Sequence, residues 1–418
     1  MIKKPRGTMD IMPEETPKWR FVEETARKVA EKFGFGEIRT PGFEATELFH
    51  RGVGETTDVV QKEMYTFEDR EGRSFTLRPE GTASVVRAII ENGRCSDAMP
   101  LKLWYKINCF RYEKPQAGRS REFFQFGVEM FGAADASADA ETIALAHTFI
   151  RDLGIRNTHL HLNSIGCREC RPNYRAALKA YFTEHIDGLC DTCKSRLETN
   201  PMRILDCKSP ECQAIALNAP KTLDHLCDAC RDHFDSLCGY LDAQKIEYVV
   251  DPHIVRGLDY YTRTVFEFIA DGIGAQSTIC GGGRYDGLMK ELGGPEMAGI
   301  GFGAGITRLL LAMDASGVEV ENPDTPALYI APMGAAAKLK AAELTYALRE
   351  RGVLVDRDLV GRSLKAQMKY ADKTGAKNVL IIGDSEIESG KANLRSMADS
   401  SQVEVDLADV DVLAEKLG

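Results

Sequence analysis

Eight cysteines between residues 167 and 230 have the spacing of metal ligands. Three pairs follow the pattern C-x-x-C and a fourth pair is looser. The pairs are Cys167 with Cys170, Cys190 with Cys193, Cys227 with Cys230, and Cys207 with Cys212. Structural zinc sites use such pairs to close a tetrahedral shell of four thiolates. Eight thiolates suffice for two sites. One site with spare thiols, or thiols without metal on a helical segment, stay open, and spacing alone leaves the pairing undecided.

A second chemical signal is the stretch V-R-G-L-D-Y-Y-T-R-T-V-F-E-F, from Val255 to Phe268. Arg256 carries a permanent charge and a rigid fork of donors, which suits an anionic oxygen. Tyr260 and Tyr261 offer hydroxyls on flat walls, which suits a small polar ligand. The alternation that follows predicts a strand, with these side chains at its entrance. A surface arginine beside core tyrosines is the alternative interpretation.

Acidic and polar side chains occur at two further strand ends. Residues 74–77 predict a strand that runs into a helix, and Glu80 and Thr82 stand at the junction. A carboxylate there can hold an ammonium group, or it can satisfy the first helical turn. Residues 101–111 and 123–129 predict a long antiparallel hairpin. Arg111, Gln125 and Glu129 share one parity and are expected on one face, where a charged residue needs a partner or a ligand.

Two glycine-rich stretches follow. The first, residues 277–288, predicts either a hairpin turn or a close backbone approach. The second, residues 298–313, predicts a strand followed by an apolar helix that carries Arg308, which could reach a phosphate. Neither stretch has the spacing of a P-loop or of a dinucleotide-binding fingerprint.

Two basic segments could contact nucleic acid, although a solvated surface is the simpler interpretation of both. One is the loop that joins the hairpin strands, and the other surrounds a predicted helix near the C-terminus. Their members are Lys114, Arg119 and Arg121, and Arg357, Arg362, Lys365, Lys369 and Lys373.

Length and composition limit the class of protein. A chain of 418 residues is long enough for two or three domains. It has no run of about 18 apolar residues and no apolar segment after the basic N-terminus, so we expect a cytoplasmic protein without a membrane span. The net charge of −10 argues against non-specific coating of nucleic acid. Strands and helices alternate after a linker at 319–326, which predicts a compact C-terminal α/β domain.

Together these pieces resemble the histidyl-tRNA synthetases, a family of class II aminoacyl-tRNA synthetases. The first predicted helix with Pro41 is similar to motif 1, and F-R-Y-E-K-P-Q-A-G-R-S-R-E-F-F-Q-F-G-V-E to motif 2. G-I-G-F-G-A-G-I-T-R-L is similar to motif 3. R-G-L-D-Y-Y-T-R-T-V-F-E and G-G-G-R-Y-D-G-L resemble the two signatures peculiar to the histidyl enzymes. Each motif is degenerate, but five in this order are highly specific.

The resemblance implies an α+β fold: an antiparallel catalytic sheet flanked by helices, a helical Cys-rich insertion, and a C-terminal α/β anticodon-binding domain. The expected domains are residues 1–166 and 241–322 for the catalytic core, 167–240 for the insertion and 323–418 for the anticodon-binding domain. The implied reaction activates L-histidine with ATP and transfers it to tRNA(His). ATP with Mg²⁺ and a homodimer follow from the resemblance, whereas zinc depends on the cysteine spacing alone.

The resemblance also implies roles for single residues. Arg111 would hold the α-phosphate of ATP, Arg308 the γ-phosphate and Glu113 the adenine, while Arg256 would stabilise charge developing on the α-phosphate. Histidine would be bound by the remaining pocket residues, and the loop would contact the acceptor end of the tRNA. The histidine-binding set is Glu80, Gly81, Thr82, Gln125, Glu129, Tyr260 and Tyr261, and the tRNA contacts are Gln116 and Arg121.

Two other classes of function are consistent with parts of the sequence. A catalytically silent, regulatory paralogue would share the fold, but such paralogues typically lose the histidyl signatures, the motif arginines or the C-terminal domain. A zinc-dependent RNA-binding module would explain the cysteines. It would not explain the presence of Arg111, Arg256, Arg308 and Glu129 together.

Overall fold

The computed structural model describes residues 2–55, 57–205, 207, 209–254, 256–274 and 277–417. Val255, at the start of the predicted V-R-G-L-D-Y-Y stretch, lies outside the described residues. The chain divides into two compact units, Met1–Val320 and Glu321–Gly418. Every helix in the described part of the chain is too short or too polar to cross a lipid bilayer.

A sheet of eight strands organises the first unit. The strands of this unit are β1 (Gly36–Glu37), β2 (Phe43–Ala45), β3 (Tyr65–Glu68), β4 (Ser74–Leu77), β5 (Leu101–Phe110), β6 (Glu122–Phe131), β7 (Thr158–Ser164), β8 (Val249–Val250), β9 (Thr262–Ala270), β10 (Thr278–Arg284) and β11 (Gly299–Gly305). The large sheet has the order β1-β5-β6-β11-β10-β9-β7-β8, and β2-β4-β3 form a separate small sheet. Pairing is antiparallel from β5 through β7 and parallel at both edges. The predicted α+β class and the β5–β6 hairpin are confirmed.

The two faces of this sheet carry different kinds of side chain. Even-numbered residues of β5, β6 and β9, such as Trp104, Phe126 and Phe266, enter the largest apolar core beneath the helices. Odd-numbered residues, such as Tyr105 and Val265, lie on the other face in a smaller apolar cluster. Because strand side chains alternate between faces, one face is free to carry polar residues while the other anchors the fold.

Helices cover the core face and form the segment between β7 and β8. The helices of the first unit are α1 (Thr16–Lys32), α2 (Thr46–Val53), α3 (Thr82–Glu91), α4 (Ala136–Asp152), α5 (Cys170–Glu184), α6 (Asp191–Thr199), α7 (Pro210–Ala216), α8 (Asp228–Gln244), α9 (Leu288–Glu291) and α10 (Ile306–Ala315). Pro17 lies in the first turn of α1, where a missing amide hydrogen does no harm. Trp19, Val22, Ala26 and Val29 recur at helical spacing, and all four are buried in the core.

The insertion is the segment between β7 and β8, which contains α5 to α8. It has a small core of its own, in which Tyr174, Leu178 and Phe182 of α5 pack with three cysteines. The start of α8 completes one cysteine group. Phe234 and Leu237 farther along α8 belong to the core of the large sheet.

The second unit is an α/β layer with a five-stranded sheet. Its elements are β12 (Leu328–Pro332), α11 (Ala335–Arg349), β13 (Val355–Arg357), α12 (Leu364–Lys373), β14 (Asn378–Ile382), α13 (Asp384–Ser389), β15 (Lys391–Ser396), β16 (Gln402–Asp406) and α14 (Val410–Leu417). The order is β13-β12-β14-β15-β16, parallel in its first three strands and antiparallel in its last three. The polar piece predicted after residue 382 contains α13 and β15. Only Ala392 and Leu394 of β15 are buried, which is why its sequence gives a weak strand signal.

Two local predictions need correction. The sequence of residues 37–41 predicts a short strand, but β1 ends at Glu37, and farther along the Arg78 guanidinium donates to the carbonyl oxygens of Thr40 and Pro41 at 2.8 and 3.1 Å. The glycines of the first glycine-rich stretch do not form a hairpin turn. They lie inside β10, between β9 and β11, so the alternative prediction of a close backbone approach is the correct one.

Candidate active site

A cavity of about 370 Å³ opens on the polar face of the large sheet. Its charged lining consists of four arginines and two glutamates. These are Arg111, Arg119, Arg256, Arg308, Glu113 and Glu267. A smaller pocket of about 80 Å³ adjoins it and shares Arg111, Gln125 and Arg256 with its wall. The excess of positive charge suits an anion, and the total volume suits a small organic ligand with phosphate groups.

The three arginines predicted from the motifs all line the large cavity. Arg111 follows β5, and its Nε donates to the carbonyl oxygen of Pro79 at 2.8 Å. Arg308 in the first turn of α10 donates to the carbonyl oxygens of Thr278 at 2.7 Å and Gly118 at 3.1 Å. Each guanidinium is therefore held by backbone oxygen and keeps other donors for a ligand.

Arg256 is held by a carboxylate instead of a backbone oxygen. It forms an ion pair with Glu267 of β9, and Glu267 also accepts a hydrogen bond from Thr278 Oγ1 at 2.8 Å. Burial by itself would lower the pKa of Arg256, but the charge of Glu267 and the neighbouring Tyr261 and Tyr260 together outweigh burial, and the pKa is raised. By contrast, burial and the neighbouring charge of Arg119 lower the pKa of Arg308, as expected where positive charge accumulates.

Glu129 of β6 lies at the centre of a buried network of hydroxyl groups. Its side chain accepts hydrogen bonds from Thr82 Oγ1 at 2.8 Å, Tyr105 Oη at 3.0 Å and the hydroxyl of Tyr285. It is 1% exposed, and burial raises its pKa to about 8 although the three hydroxyl donors act in the opposite direction. Burial thus disfavours the charged form of this carboxyl group, and the hydroxyl donors offset part of that cost.

The smaller pocket is bounded by four tyrosines and by the start of α3. The rings of Tyr260 and Tyr261 are 4.6 Å apart, and Tyr105 and Tyr285 line the same pocket. Tyr260 Oη lies 3.5 Å from Thr82 Oγ1. These walls enclose a small space of about 80 Å³ that suits one small polar ring.

Glu80 caps helix α3. Its two oxygens accept the amides of Thr82 and Ala83, each at 2.7 Å, and burial raises its pKa. The helix-cap interpretation made from the sequence is therefore confirmed, whereas the ammonium-binding role stays a prediction for a carboxylate that also lines the smaller pocket. Gly81 beside it has no room for a side chain, since a Cβ would lie 2.5 Å from the ring of Tyr105.

Glycines of β10 and β11 make room for the functional side chains of other segments. A Cβ at Gly301 would collide with the carboxylate of Glu129, and one at Gly303 with the amide of Gln125. At Gly281 it would lie 2.6 Å from the Arg256 guanidinium. The glycine-rich strands thus provide space for these functional side chains.

The hairpin loop contributes both to the cavity and to the surface. Glu113 lines the cavity and pairs with Arg119 at 2.9 Å. Gln116 is exposed on the loop. The guanidinium of Arg121 lies 3.7 Å from the centroid of the Tyr112 ring, and its Nε donates to the carbonyl oxygen of Glu113 at 3.3 Å.

Four residues of this region were not assigned a role from the sequence. Tyr105 alternates with apolar residues, a pattern that predicts a core position. Glu267 lies on one face of a predicted strand, and this pattern gives it no contact. Tyr285 stands in the quoted G-G-G-R-Y-D-G-L signature, and Arg119 in the basic loop. Only the cross-strand neighbours reveal what these side chains contact.

All twelve cysteines are free thiols, and eight of them form two compact groups. Cluster 1 is Cys167, Cys170, Cys227 and Cys230, and cluster 2 is Cys190, Cys193, Cys207 and Cys212. In each cluster the four sulfur atoms lie within 4.8 Å of one another. The structure therefore brings together cysteine pairs that are distant in the sequence: two C-x-x-C pairs in cluster 1, and one C-x-x-C pair with the looser pair in cluster 2.

The sulfur geometry of both clusters fits a tetrahedral metal ion. Sulfur–sulfur distances are 3.7 and 3.9 Å in cluster 1 and 3.8 Å in cluster 2. A tetrahedron with Zn–S bonds of about 2.3 Å has edges of about 3.8 Å. The amide of Cys227 donates to Cys170 Sγ at 3.1 Å, and the amide of Cys190 to Cys212 Sγ at 3.2 Å. Such amide donors stabilise thiolates.

Comparisons with known proteins agree with this geometry. Residues 7–309 match the family model for histidyl-tRNA synthetase, and residues 327–416 match an anticodon-binding domain. A histidine–tRNA ligase of Caldanaerobacter subterraneus subsp. tengcongensis is 55% identical over 405 residues, 97% of both chains. One from Clostridium perfringens is 53% identical over 407 residues, again 97% of both. The crystal structure of apo S. aureus histidyl-tRNA synthetase superposes with a TM-score of 0.84 at 40% identity, covering 100% of both chains. The chain therefore belongs to the histidyl-tRNA synthetase family.

Proposed function

We infer that the chain is a ligase that joins L-histidine to tRNA(His) in two steps. First, a carboxylate oxygen of histidine attacks the α-phosphorus of ATP, and pyrophosphate leaves as histidyl-adenylate forms. Second, a hydroxyl of the terminal ribose attacks the histidyl carbonyl carbon, and AMP leaves. An arginine-lined cavity that adjoins a tyrosine-walled pocket, in a chain of this family, is the observation that carries the conclusion.

We propose that Arg111 holds the α-phosphate of ATP, Arg308 the γ-phosphate and Glu113 the adenine. Arg256 stabilises the negative charge that develops on the α-phosphate during the displacement. Support comes from the position of all four residues in one cavity wall and from contacts that fix the arginines before ATP arrives. Preorganised charges of this kind favour a transition state over a ground state. Mg²⁺ accompanies ATP as part of the substrate.

Histidine occupies the smaller pocket in this proposal. Glu80, Thr82 and Gln125 hold its α-ammonium group, with Gly81 beside them. Glu129 and Tyr261 bind the two imidazole nitrogens, and Tyr260 forms a wall. The buried hydroxyl network around Glu129 supports this assignment, because it fixes the carboxylate beside side chains that line the smaller pocket.

We propose that tRNA contacts both units. Gln116 and Arg121 of the hairpin loop touch its acceptor end. In the second unit, Lys365, Lys369 and Lys373 are exposed at four-residue spacing and form one stripe along α12. A stripe of three ammonium groups suits the phosphates of an RNA backbone.

We propose that each thiolate cluster binds one Zn²⁺, as a structural and not a catalytic ion. The thiolates fit zinc in number, distance and hydrogen bonding. Four cysteine ligands leave no open coordination position for a substrate. Bound zinc would cross-link helices whose common apolar core is small.

We propose that the chain forms a homodimer in the cytoplasm. An aromatic cluster on the small sheet supports the dimer: the rings of Phe43 and Phe75 are 5.6 Å apart, and Phe43 is 51% exposed. The twelve free thiols suit a reducing compartment. We also propose that the boundaries between the catalytic core, the insertion and the anticodon-binding domain lie at residues 166/167, 240/241 and 322/323.

ATP–pyrophosphate exchange on the purified protein tests the function. We expect exchange that depends on histidine and on no other amino acid, and charging of tRNA(His). Metal analysis of the same sample should give about two zinc ions per chain, one for each Cys₄ site. If folded protein shows no exchange, the chain is instead a regulatory paralogue that retains its arginines.

A further inference from the structure

Each thiolate cluster lies close to one arginine that donates a hydrogen bond to the backbone of the active site. In the part of the insertion that holds cluster 1, Arg171 donates from Nη2 to the carbonyl oxygen of Tyr261. In the part that holds cluster 2, Arg203 donates from Nη1 to the carbonyl oxygen of Arg256 at 3.3 Å. The two carbonyl groups mark the ends of segment 256–261, which we call the pocket segment.

Cluster 1 is attached to the end of the pocket segment at two places. Arg171 directly follows the ligand Cys170, so that fixing this sulfur fixes the first turn of α5. Gly166, next to the ligand Cys167, accepts the amide of Arg263 at 2.9 Å. Gly166 has a φ of +68°, and a Cβ there would lie 2.7 Å from the side chain of Cys170. The cluster and the start of β9 therefore form one tightly packed joint.

Cluster 2 holds the other arginine through a short connection. Arg203 lies in a helical turn between two ligands of this cluster, and its side chain is only 12% exposed. It lies 3.5 Å from Asp58 of the catalytic core, and Arg196 of α6 lies 3.2 Å from the same carboxylate. The arginine thus joins the insertion, the core and the pocket segment at one point.

Long side chains hold one geometry only when their own backbone is fixed. An arginine loses much rotamer freedom when it binds a single carbonyl oxygen, so a mobile insertion would contribute little to the pocket. The insertion has a small apolar core, and three of the eight cluster cysteines, Cys170, Cys190 and Cys227, lie at or within one residue of the beginning of a helix. A metal ion in each cluster supplies the rigidity that this core lacks.

We propose that metal bound in the two clusters positions the pocket segment through Arg171 and Arg203, so that the metal content of the insertion sets the affinity for histidine. Both arginines are positioning residues that act through the backbone of Arg256 and Tyr261. The proposal deepens the function proposed above and rests on it and on the two zinc sites.

The first test measures the backbone directly. Arg171→Met and Arg203→Met remove the donors while keeping side-chain length, and Arg175→Met is the matched control. Arg175 lies on the same helix α5 but donates to Thr199 inside the insertion at 2.9 Å. We expect amide hydrogen exchange in residues 256–263 to rise about tenfold in the first two variants, with bound zinc unchanged. Exchange equal to that of the control would overturn the proposal, and so would purified protein that contains no metal.

The second test measures coupling between metal and histidine by calorimetry, before and after the zinc is removed with a chelator. We expect Arg171→Met to raise the Kd for histidine about tenfold, since a hydrogen bond from a charged donor is lost, and Arg171→Lys to recover part of it. Chelation should raise the Kd of the wild type, but should raise that of Arg171→Met by a smaller factor. Equal factors would refute the coupling. If even the wild type fails to bind histidine, the proposed function has failed, and hydrogen exchange still decides whether the arginines position the segment.

Discussion

The cavity of the large sheet and the Cys-rich insertion are held in their conformations by different interactions. The cavity and the adjoining smaller pocket collect side chains from Glu80 to Arg308, and the sheet positions them by its register and by the large core on its other face. The insertion has a much smaller core and eight cysteines in two clusters. The proposed catalytic groups thus lie on the part held by apolar burial, whereas the insertion, for which we propose two metal ions, contacts that part from outside.

The largest expected effect separates the two regions. Cys193→Ser should abolish metal binding at cluster 2, because serine is a poor ligand for zinc in a thiolate site. Structural zinc in small domains contributes roughly 10 kcal/mol or more, so the insertion should unfold locally while the large sheet stays folded. Limited proteolysis should cut within residues 190–212 only. The control is Cys95→Ser, at a half-buried thiol outside both clusters. Unfolding of the whole first unit would show that the regions are not independent.

The next largest effect is a loss of catalytic activity in a protein that stays folded. Arg256→Ala should lower histidine-dependent pyrophosphate exchange by about a hundredfold to a thousandfold, as expected for loss of one group that stabilises developing charge. The Kd for histidine should change less than about threefold, because the tyrosine walls remain. Arg39→Ala, whose side chain is 84% exposed, should match the wild type. Exchange at wild-type level in Arg256→Ala would remove this arginine from the mechanism.

Glu129→Gln should weaken histidine binding by about tenfold to a hundredfold, since glutamine replaces one of the two oxygens that accept hydroxyl hydrogen bonds with an amide donor. An unchanged Kd would take Glu129 out of the pocket.

The same variant tests the pH dependence of stability. The pKa of Glu129 is raised from its ordinary 4.5 to about 8, so the folded protein keeps a proton that the unfolded chain releases. The stability contributed by this proton is fully present below about pH 4.5 and is lost as the pH rises through about 8. Glutamine does not titrate. The Tm of Glu129→Gln should therefore rise relative to the Tm of the wild type as the pH rises. A difference between the two Tm values that does not change with pH would contradict the raised pKa.

The smallest expected effect concerns the second unit. Lys365→Ala together with Lys369→Ala should raise the KM for tRNA about threefold to tenfold and reduce the salt dependence of charging, because two phosphate contacts are lost. Pyrophosphate exchange without tRNA should stay unchanged. Lys391→Ala serves as the control, since Lys391 pairs with Glu404 at 2.7 Å on the antiparallel part of the sheet. Charging equal to that of the control would leave α12 without a role in tRNA binding.

Much of the fold and several site residues were predictable from local signals. Period-two alternation predicted the β5–β6 hairpin, and helical spacing predicted α1. The order of five motifs identified Arg111, Arg256 and Arg308, and all three line one cavity. The second role of Glu80 as a helix cap was also visible, since it precedes α3 by two residues. These features depend on neighbours in the sequence, where chain geometry leaves few choices.

Other features required contacts across the fold. Tyr105 and Tyr285 read as core residues until the sheet brings both hydroxyls to Glu129, 24 and 156 residues away. Spacing revealed cysteine pairs but not their partners, because Cys167 meets Cys227 only when α5 and α8 begin side by side. The Arg171 contact with Tyr261 likewise spans 90 residues. Amino-acid types and their periodicity specify which chemistry is present and which elements form, whereas packing decides which distant groups meet, since that depends on the burial of surfaces from the whole chain.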